Sequence, residues 1–143
     1  MKLISWNCRG LLGAPTVRSL LDIQRRNNPD AFFLSETHLY ETKAEEIMRK
    51  LRMDHRIVVP CLDGRSGGLL LVWKKEVRIC SQTTTLDYID VSVEESNGDT
   101  WILTCLYGEP SWNNKDHTYN NLRELHSQID LPWTVIGDFN EIL

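Results

Sequence analysis

The chain has 143 residues, 41% hydrophobic and 25% charged, a balance that supports one globular domain with a substantial core and excludes wholesale disorder. Its 16 basic side chains face 20 acidic ones, and the net charge of −4 gives no general electrostatic footprint for a polyanion, so any DNA contact must be local. No stretch approaches the roughly 20 apolar residues of a membrane helix, and Met1-Lys2-Leu3-Ile4-Ser5-Trp6 lacks the apolar run of a secretory signal. The expectation is an intracellular protein of the nucleus or cytoplasm, with no membrane partner.

Residues 2–7 read as a strand running into Asn7-Cys8-Arg9-Gly10. Pro15 suits the first turn of a helix whose buried stripe is Val17, Leu20 and Leu21, and Asn27-Asn28-Pro29 ends it, because proline pushes the preceding residue out of the α region. Ala31-Phe32-Phe33-Leu34 is continuously apolar, the pattern of a strand covered on both faces. Ala44, Ile47, Met48 and Leu51 then mark one side of a second helix.

Residues 56–59, 69–73 and 77–81 read as short strands, with the turn-rich Asp63-Gly64-Arg65-Ser66-Gly67-Gly68 between the first two. Ile89, Val91 and Val93 alternate with polar residues, and Asn97-Gly98 turns the chain into a strand over 101–107, predicting a hairpin. Asp116 is placed to cap a helix carrying Tyr119, Leu122, Leu125 and Ile129, closed by Pro132, before a last strand at 133–136. The class is mixed α/β in a single domain over 1–143. Cys8, Cys61, Cys80 and Cys105 form no C-x-x-C, so they read as reduced residues in or near the core rather than zinc ligands or a redox pair.

Polar residues recur just past the apolar strands: Asn7, Glu36, Tyr107, and Asp138 with Asn140. If those strands are neighbours, their ends converge on one cleft, and a carboxylate beside an amide oxygen offers the hard ligands that Mg²⁺ prefers. Asp138 and Asn140 share a face at spacing i, i+2; the carboxylate is able to orient or deprotonate a water while the amide donates to a phosphate oxygen. Each residue also has a plainer reading: Glu36 as a solvated strand end, Asn7, Asp138 and Asn140 as turn formers, Tyr107 as core on the face of Trp101, Leu103 and Cys105.

Ser5-Trp6-Asn7-Cys8-Arg9-Gly10, Leu34-Ser35-Glu36-Thr37-His38-Leu39, Gly67-Gly68-Leu69, Tyr107-Gly108 and Gly137-Asp138-Phe139-Asn140-Glu141 occur in that order. In these motifs the chain resembles the endonuclease/exonuclease/phosphatase superfamily, and most closely the endonuclease domain of plant LINE-type non-LTR retrotransposons. The resemblance implies part of a four-layer α/β/β/α sandwich, its two sheets related by a pseudo-twofold, with the C-terminal portion missing. It also implies Mg²⁺-dependent hydrolysis of DNA phosphodiesters, with Mn²⁺ as a substitute ion.

On that resemblance Glu36 is the principal metal ligand, with Asn7 helping to order the metal shell. Tyr107 contacts the scissile phosphate, Asp138 aligns the attacking water and Asn140 steadies the phosphorane. His38 follows Glu36-Thr37 as in the family, in a supporting role behind the metal ligands. The family's later Ser-Asp-His element has no match here, since Asp116-His117 precedes Asp138, follows Lys115 instead of a serine and opens a helix. Weak or no cleavage by this chain alone is therefore expected. The alternative reading is a noncatalytic domesticated fragment that binds nucleic acid or a protein partner. Arg9, Arg65, Lys74 and Lys75 are candidate contacts to a nucleic-acid backbone. An incomplete sandwich would also leave the inner faces of strands 89–93 and 101–107 uncovered, which predicts homo-oligomerisation through that sheet.

Overall fold

The computed structural model describes residues 1–62 and 67–141. The expected turn at Asp63-Gly64-Arg65-Ser66, and with it the proposed Arg65 contact, lies outside these residues. In chain order the elements are β1 (Leu3–Asn7), α1 (Ala14–Asn27), β2 (Ala31–Ser35), α2 (Glu41–Lys50), β3 (His55–Val59), β4 (Leu69–Trp73), β5 (Arg78–Thr84), β6 (Tyr88–Glu94), β7 (Thr100–Tyr107), a 3₁₀ turn at Trp112–Asn114, α3 (Lys115–Gln128) and β8 (Trp133–Asp138).

The strands form two four-stranded sheets, ordered β1-β2-β4-β3 and β5-β6-β7-β8. Each sheet contains one parallel pair, β1 with β2 and β7 with β8, and otherwise antiparallel pairs. Parallel neighbours require a crossover, which α1 supplies in the first sheet and α3 in the second. Two strand-helix-strand units thus stand opposite each other, one per sheet.

The continuously apolar β2 and β4 are buried along their whole length. Phe32, Leu34, Leu70 and Val72 point toward α1 and α2, where they meet Leu20, Ala44 and Ile47. Phe33, Leu71 and Ile57 point the other way, into a core shared with Ile89, Val91, Val93, Leu103 and Cys105 of the second sheet. On the outer side of the second sheet, Thr104 and Leu106 are fully buried, and the α3 residue His126 lies beside Trp133 of β8, ring centroids 5.8 Å apart. The layers are helices, sheet, sheet, helix.

This arrangement overturns the expectation of an uncovered sheet. The first sheet covers the inner faces of β6 and β7, so Ile89, Val91, Val93 and Leu103 are at most 3% exposed, and the apolar patch on which association was predicted does not exist. Four smaller expectations also change. The α3 N-cap is Asn114, with no side-chain cap bond, and Asp116 sits inside the first turn. Tyr119 is 40% exposed while Thr118 and Leu125 are buried, so the inward stripe is rotated from the one read by spacing. Cys80 is exposed, unlike the buried Cys8, Cys61 and Cys105. Finally, β5 extends to Thr84, which pairs with Ile89; as a polar edge strand it shows no alternation to read.

Candidate active site

Parallel pairing brings strand ends together at one edge. In the first sheet Asn7 is in register with Ser35, leaving Glu36 one residue beyond the strand; in the second, Tyr107 is in register with Asp138. Packing of the two sheets then joins the four positions. The Asn7 amide Nδ2 donates to Glu36 Oε1 at 3.0 Å and to Asp138 Oδ2 at 2.9 Å. The Tyr107 hydroxyl donates to the same Glu36 Oε1 at 2.6 Å. Glu36 Oε1 is therefore a meeting point for donors from both sheets.

The amide of Asn7 is oriented from behind, because its Oδ1 accepts the Arg9 N–H at 3.2 Å. Asp138 Oδ1 accepts the Asn140 backbone N–H at 2.9 Å, and the Asn140 amide donates to the Gly108 carbonyl at 2.6 Å. Burial first, and then the hydrogen bond and charge of Glu36, push the Tyr107 phenol above its ordinary value. It remains a protonated donor across the physiological range.

Local backbone geometry explains two glycine motifs. Glu36, His38 and Asn140 have φ of 50°, 56° and 51°, left-handed conformations that cost about 1–3 kcal/mol each for such residues. The turn at Glu36 is held by Gly10 N–H to the Glu36 carbonyl at 2.6 Å, and by Thr37 and His38 N–H to the Gly68 and Gly67 carbonyls at 3.1 Å each. A side chain at Gly68 would put Cβ 2.5 Å from Thr37 Oγ1, so Gly67-Gly68 lets β4 begin directly against the turn that carries Glu36. At Gly137 (φ 148°) a Cβ would lie 1.8 Å from the Leu106 carbonyl oxygen, so only glycine lets β8 close on β7 just before Asp138.

Of the residues singled out from sequence, Asn7, Glu36, Tyr107, Asp138 and Asn140 all join this network. His38 lies beside it: its ring packs over Gly10, where a Cβ would approach Nδ1 to 3.0 Å, and among the described residues no hydrogen bond links that ring to Glu36 or Asn7. His117 pairs with Asp87 at 2.8 Å and takes no part in the network. Arg9 borders the site through Asn7. Lys74 and Lys75 do not, because β4 runs antiparallel to β2 and Trp73 pairs with Ala31, a full strand length from Glu36.

Lys115 was not anticipated as a site residue. Its Nζ donates to the Asn140 carbonyl and lies 3.4 Å from Glu141 Oε1, with its side chain 16% exposed. No sequence signal marks it, since only the fold carries the start of α3 back to Asn140.

The residues fit a divalent cation by their chemistry. Glu36 and Asp138 present carboxylate oxygens close enough to share one amide nitrogen. Among the described residues no group of three or more His, Cys, Asp and Glu converges on a single point.

Two opposed strand-helix-strand units that pool carboxylate, amide and phenol groups at the seam of two sheets define an α/β sandwich with a polar cluster where the sheets meet. The chain belongs to the Endonuclease/Exonuclease/phosphatase family, whose model matches residues 4–143. Relatives in this family are generally dependent on a divalent metal. No curated protein matches the chain.

Solved structures match the fold at low identity. The human Nocturnin catalytic domain with bound sulfate is 18% identical with a TM-score of 0.71, over 99% of this chain and 64% of that one. TDP2 from D. rerio complexed with a single-strand DNA product is 21% identical with a TM-score of 0.72, over 100% of this chain and 62% of that one. The AP endonuclease LMAP from Leishmania major is 17% identical with a TM-score of 0.71, over 96% and 54%. The chain thus spans less than two thirds of the length of each of these solved chains.

Proposed function

We propose that this chain carries the metal- and water-handling part of a Mg²⁺-dependent DNA phosphodiesterase, of the endonuclease type found in plant LINE-type retrotransposons. The observation that carries the reading is the Asn7 amide held between Glu36 and Asp138, which gathers residues from both sheets at one point. Glu36 would hold Mg²⁺, or Mn²⁺ in its place, with Asn7, which turns its amide nitrogen rather than its oxygen toward the carboxylates, ordering the shell around the ion, which when bound would supply positive charge to the phosphate.

Asp138 is the base: Oδ1 is fixed by the Asn140 N–H and Oδ2 by the Asn7 amide, and the second lone pair of Oδ2 orients a water and accepts its proton. The Tyr107 hydroxyl, kept protonated by burial beside Glu36, donates to a non-bridging phosphate oxygen. The Asn140 Nδ2 keeps one N–H on the Gly108 carbonyl and offers the other to the phosphorane, the kind of placed donor worth a few kcal/mol of barrier. His38 supports the Glu36 turn by packing over Gly10.

No Ser-Asp-His sequence occurs in the 143 residues, and absence of an acid of that kind lowers rates by about 10²–10⁴-fold. Slow, Mg²⁺-dependent nicking of plasmid DNA that vanishes in Glu36→Ala is the expected result. Cleavage that is robust in Glu36→Ala, or turnover only of phosphoinositide or other non-DNA diesters, would overturn the reading. DNA or protein binding untouched by Glu36→Gln and Asp138→Asn, without any cleavage, would instead establish a noncatalytic binding fragment.

A further inference from the structure

We propose that Trp112 is a stacking platform for the nucleobase next to the scissile phosphate; this rests on the nucleic-acid reading above. Trp112 is 81% exposed, the most exposed large hydrophobic residue among those described. It sits on the segment joining β7 to α3, and that segment is tied to Asn140 at both ends. The Gly108 carbonyl accepts the Asn140 amide, and Lys115 Nζ donates to the Asn140 carbonyl. Trp112 lies three residues before Lys115, so their Cα atoms are within about 11 Å.

The segment is also braced internally. Glu109 N–H donates to the buried Thr118 Oγ1 at 2.8 Å, Ser111 N–H to Glu109 Oε1 at 2.9 Å, and Asn114 N–H to the Ser111 carbonyl at 3.1 Å. The ring is therefore displayed on a fixed loop, and a ligand does not have to order it.

The surroundings select the ligand. The residues that follow Trp112 in the chain help line an open polar cavity of about 390 Å³, formed by Glu109, Asn113, Asn114, Asp116, His117 and Asn120. A single exposed aromatic ring on a segment that otherwise carries amides and carboxylates is not the broad apolar patch of a protein interface. Glu109 and Asp116 also disfavour a run of phosphates, so a strand is better gripped by its bases. An aromatic face is sequence-tolerant because every base has a π-face, and amide side chains match base edges.

The test is fluorescence anisotropy with a short oligothymidylate and an abasic oligomer carrying the same number of phosphates, using the full chain with Ca²⁺ replacing Mg²⁺. The wild type is expected to favour the base-bearing oligomer by about 5- to 100-fold. In Trp112→Ala the ratio should fall to about one with abasic affinity and circular dichroism unchanged, and Trp112→Phe should keep most of it. A ratio that survives in Trp112→Ala, or equal binding of both oligomers by the wild type, overturns the stacking role while leaving the nucleic-acid reading standing. Failure of the wild type to bind either oligomer overturns both.

Discussion

The β1-α1-β2 and β7-α3-β8 units present the same topology to the site but rest on very different foundations. Strand β2 lies between β1 and β4, and every residue of it is buried. Strand β8 is the edge of its sheet, and none of its residues is fully buried. The first unit therefore anchors Glu36, while the second presents Asp138 and Asn140 from a strand with a hydrogen-bonded neighbour on one side only. Sites often combine a rigid half with one drawn from the less stable end of the molecule. On the function proposed above, the division falls between metal holding and water handling.

The sharpest way to break this comparison is truncation of the core under each unit. Phe33→Ala, on β2, should destabilise the chain by about 3–5 kcal/mol, whereas Ile136→Ala, on half-exposed β8, should fall near or below about 2 kcal/mol. Equal shifts in urea midpoint would show that the two units are equally embedded. Gly137→Ala is the exception on β8: the Leu106 backbone in its way cannot yield, so a loss of at least about 3 kcal/mol is expected.

Next in size is local opening. Hydrogen exchange should show β2 amides protected to the level of global unfolding, and β8 amides exchanging at least about tenfold faster through partial opening. Matching protection in both strands would remove the rigid-and-loose division.

A smaller effect concerns pH on the second unit. Trp133 Nε1 donates to Thr104 Oγ1 at 2.8 Å, and Thr104 in turn donates to Asp90. Burial raises the Asp90 carboxyl above its ordinary value, partly offset by the Thr104 bond. A carboxyl with a raised folded-state value stabilises the fold below its unfolded value, near 3.9, and that contribution is lost as pH rises through the folded value. Asp90→Asn should therefore flatten the decline in urea midpoint as pH rises above the ordinary carboxylate value of about 4; an unchanged slope would place that titration elsewhere. Smallest of all, Glu45→Ala breaks an exposed pair with Arg49 on α2 and should change stability by less than about 0.5 kcal/mol.

What the sequence made legible follows the same division. The buried strands β2 and β4 and the helices α1 and α2 announce themselves by apolar runs and 3.6-residue spacing, because their environments are uniform. The site residues were legible as a recurrence at strand ends, since parallel strands must finish at one edge. Less could be read where tertiary contact decides the outcome. The polar edge strand β5 carries no alternation, the inward face of α3 is set by Thr118 and Leu125 rather than by Tyr119, and the covering of β6 and β7 depends on packing between halves distant in sequence. Lys115 belongs to this group, because its reach to Asn140 exists only once α3 has docked.

The Asn7 amide, straddling carboxylates that stand 131 residues apart from it along the chain on one side and 29 on the other, makes the site a rivet between two layers. Whatever ligand grips both acids at once must also clamp the sandwich shut. Occupancy should accordingly be readable far from the chemistry, as slower fraying of the open margin of the second sheet and a higher melting temperature for the whole molecule.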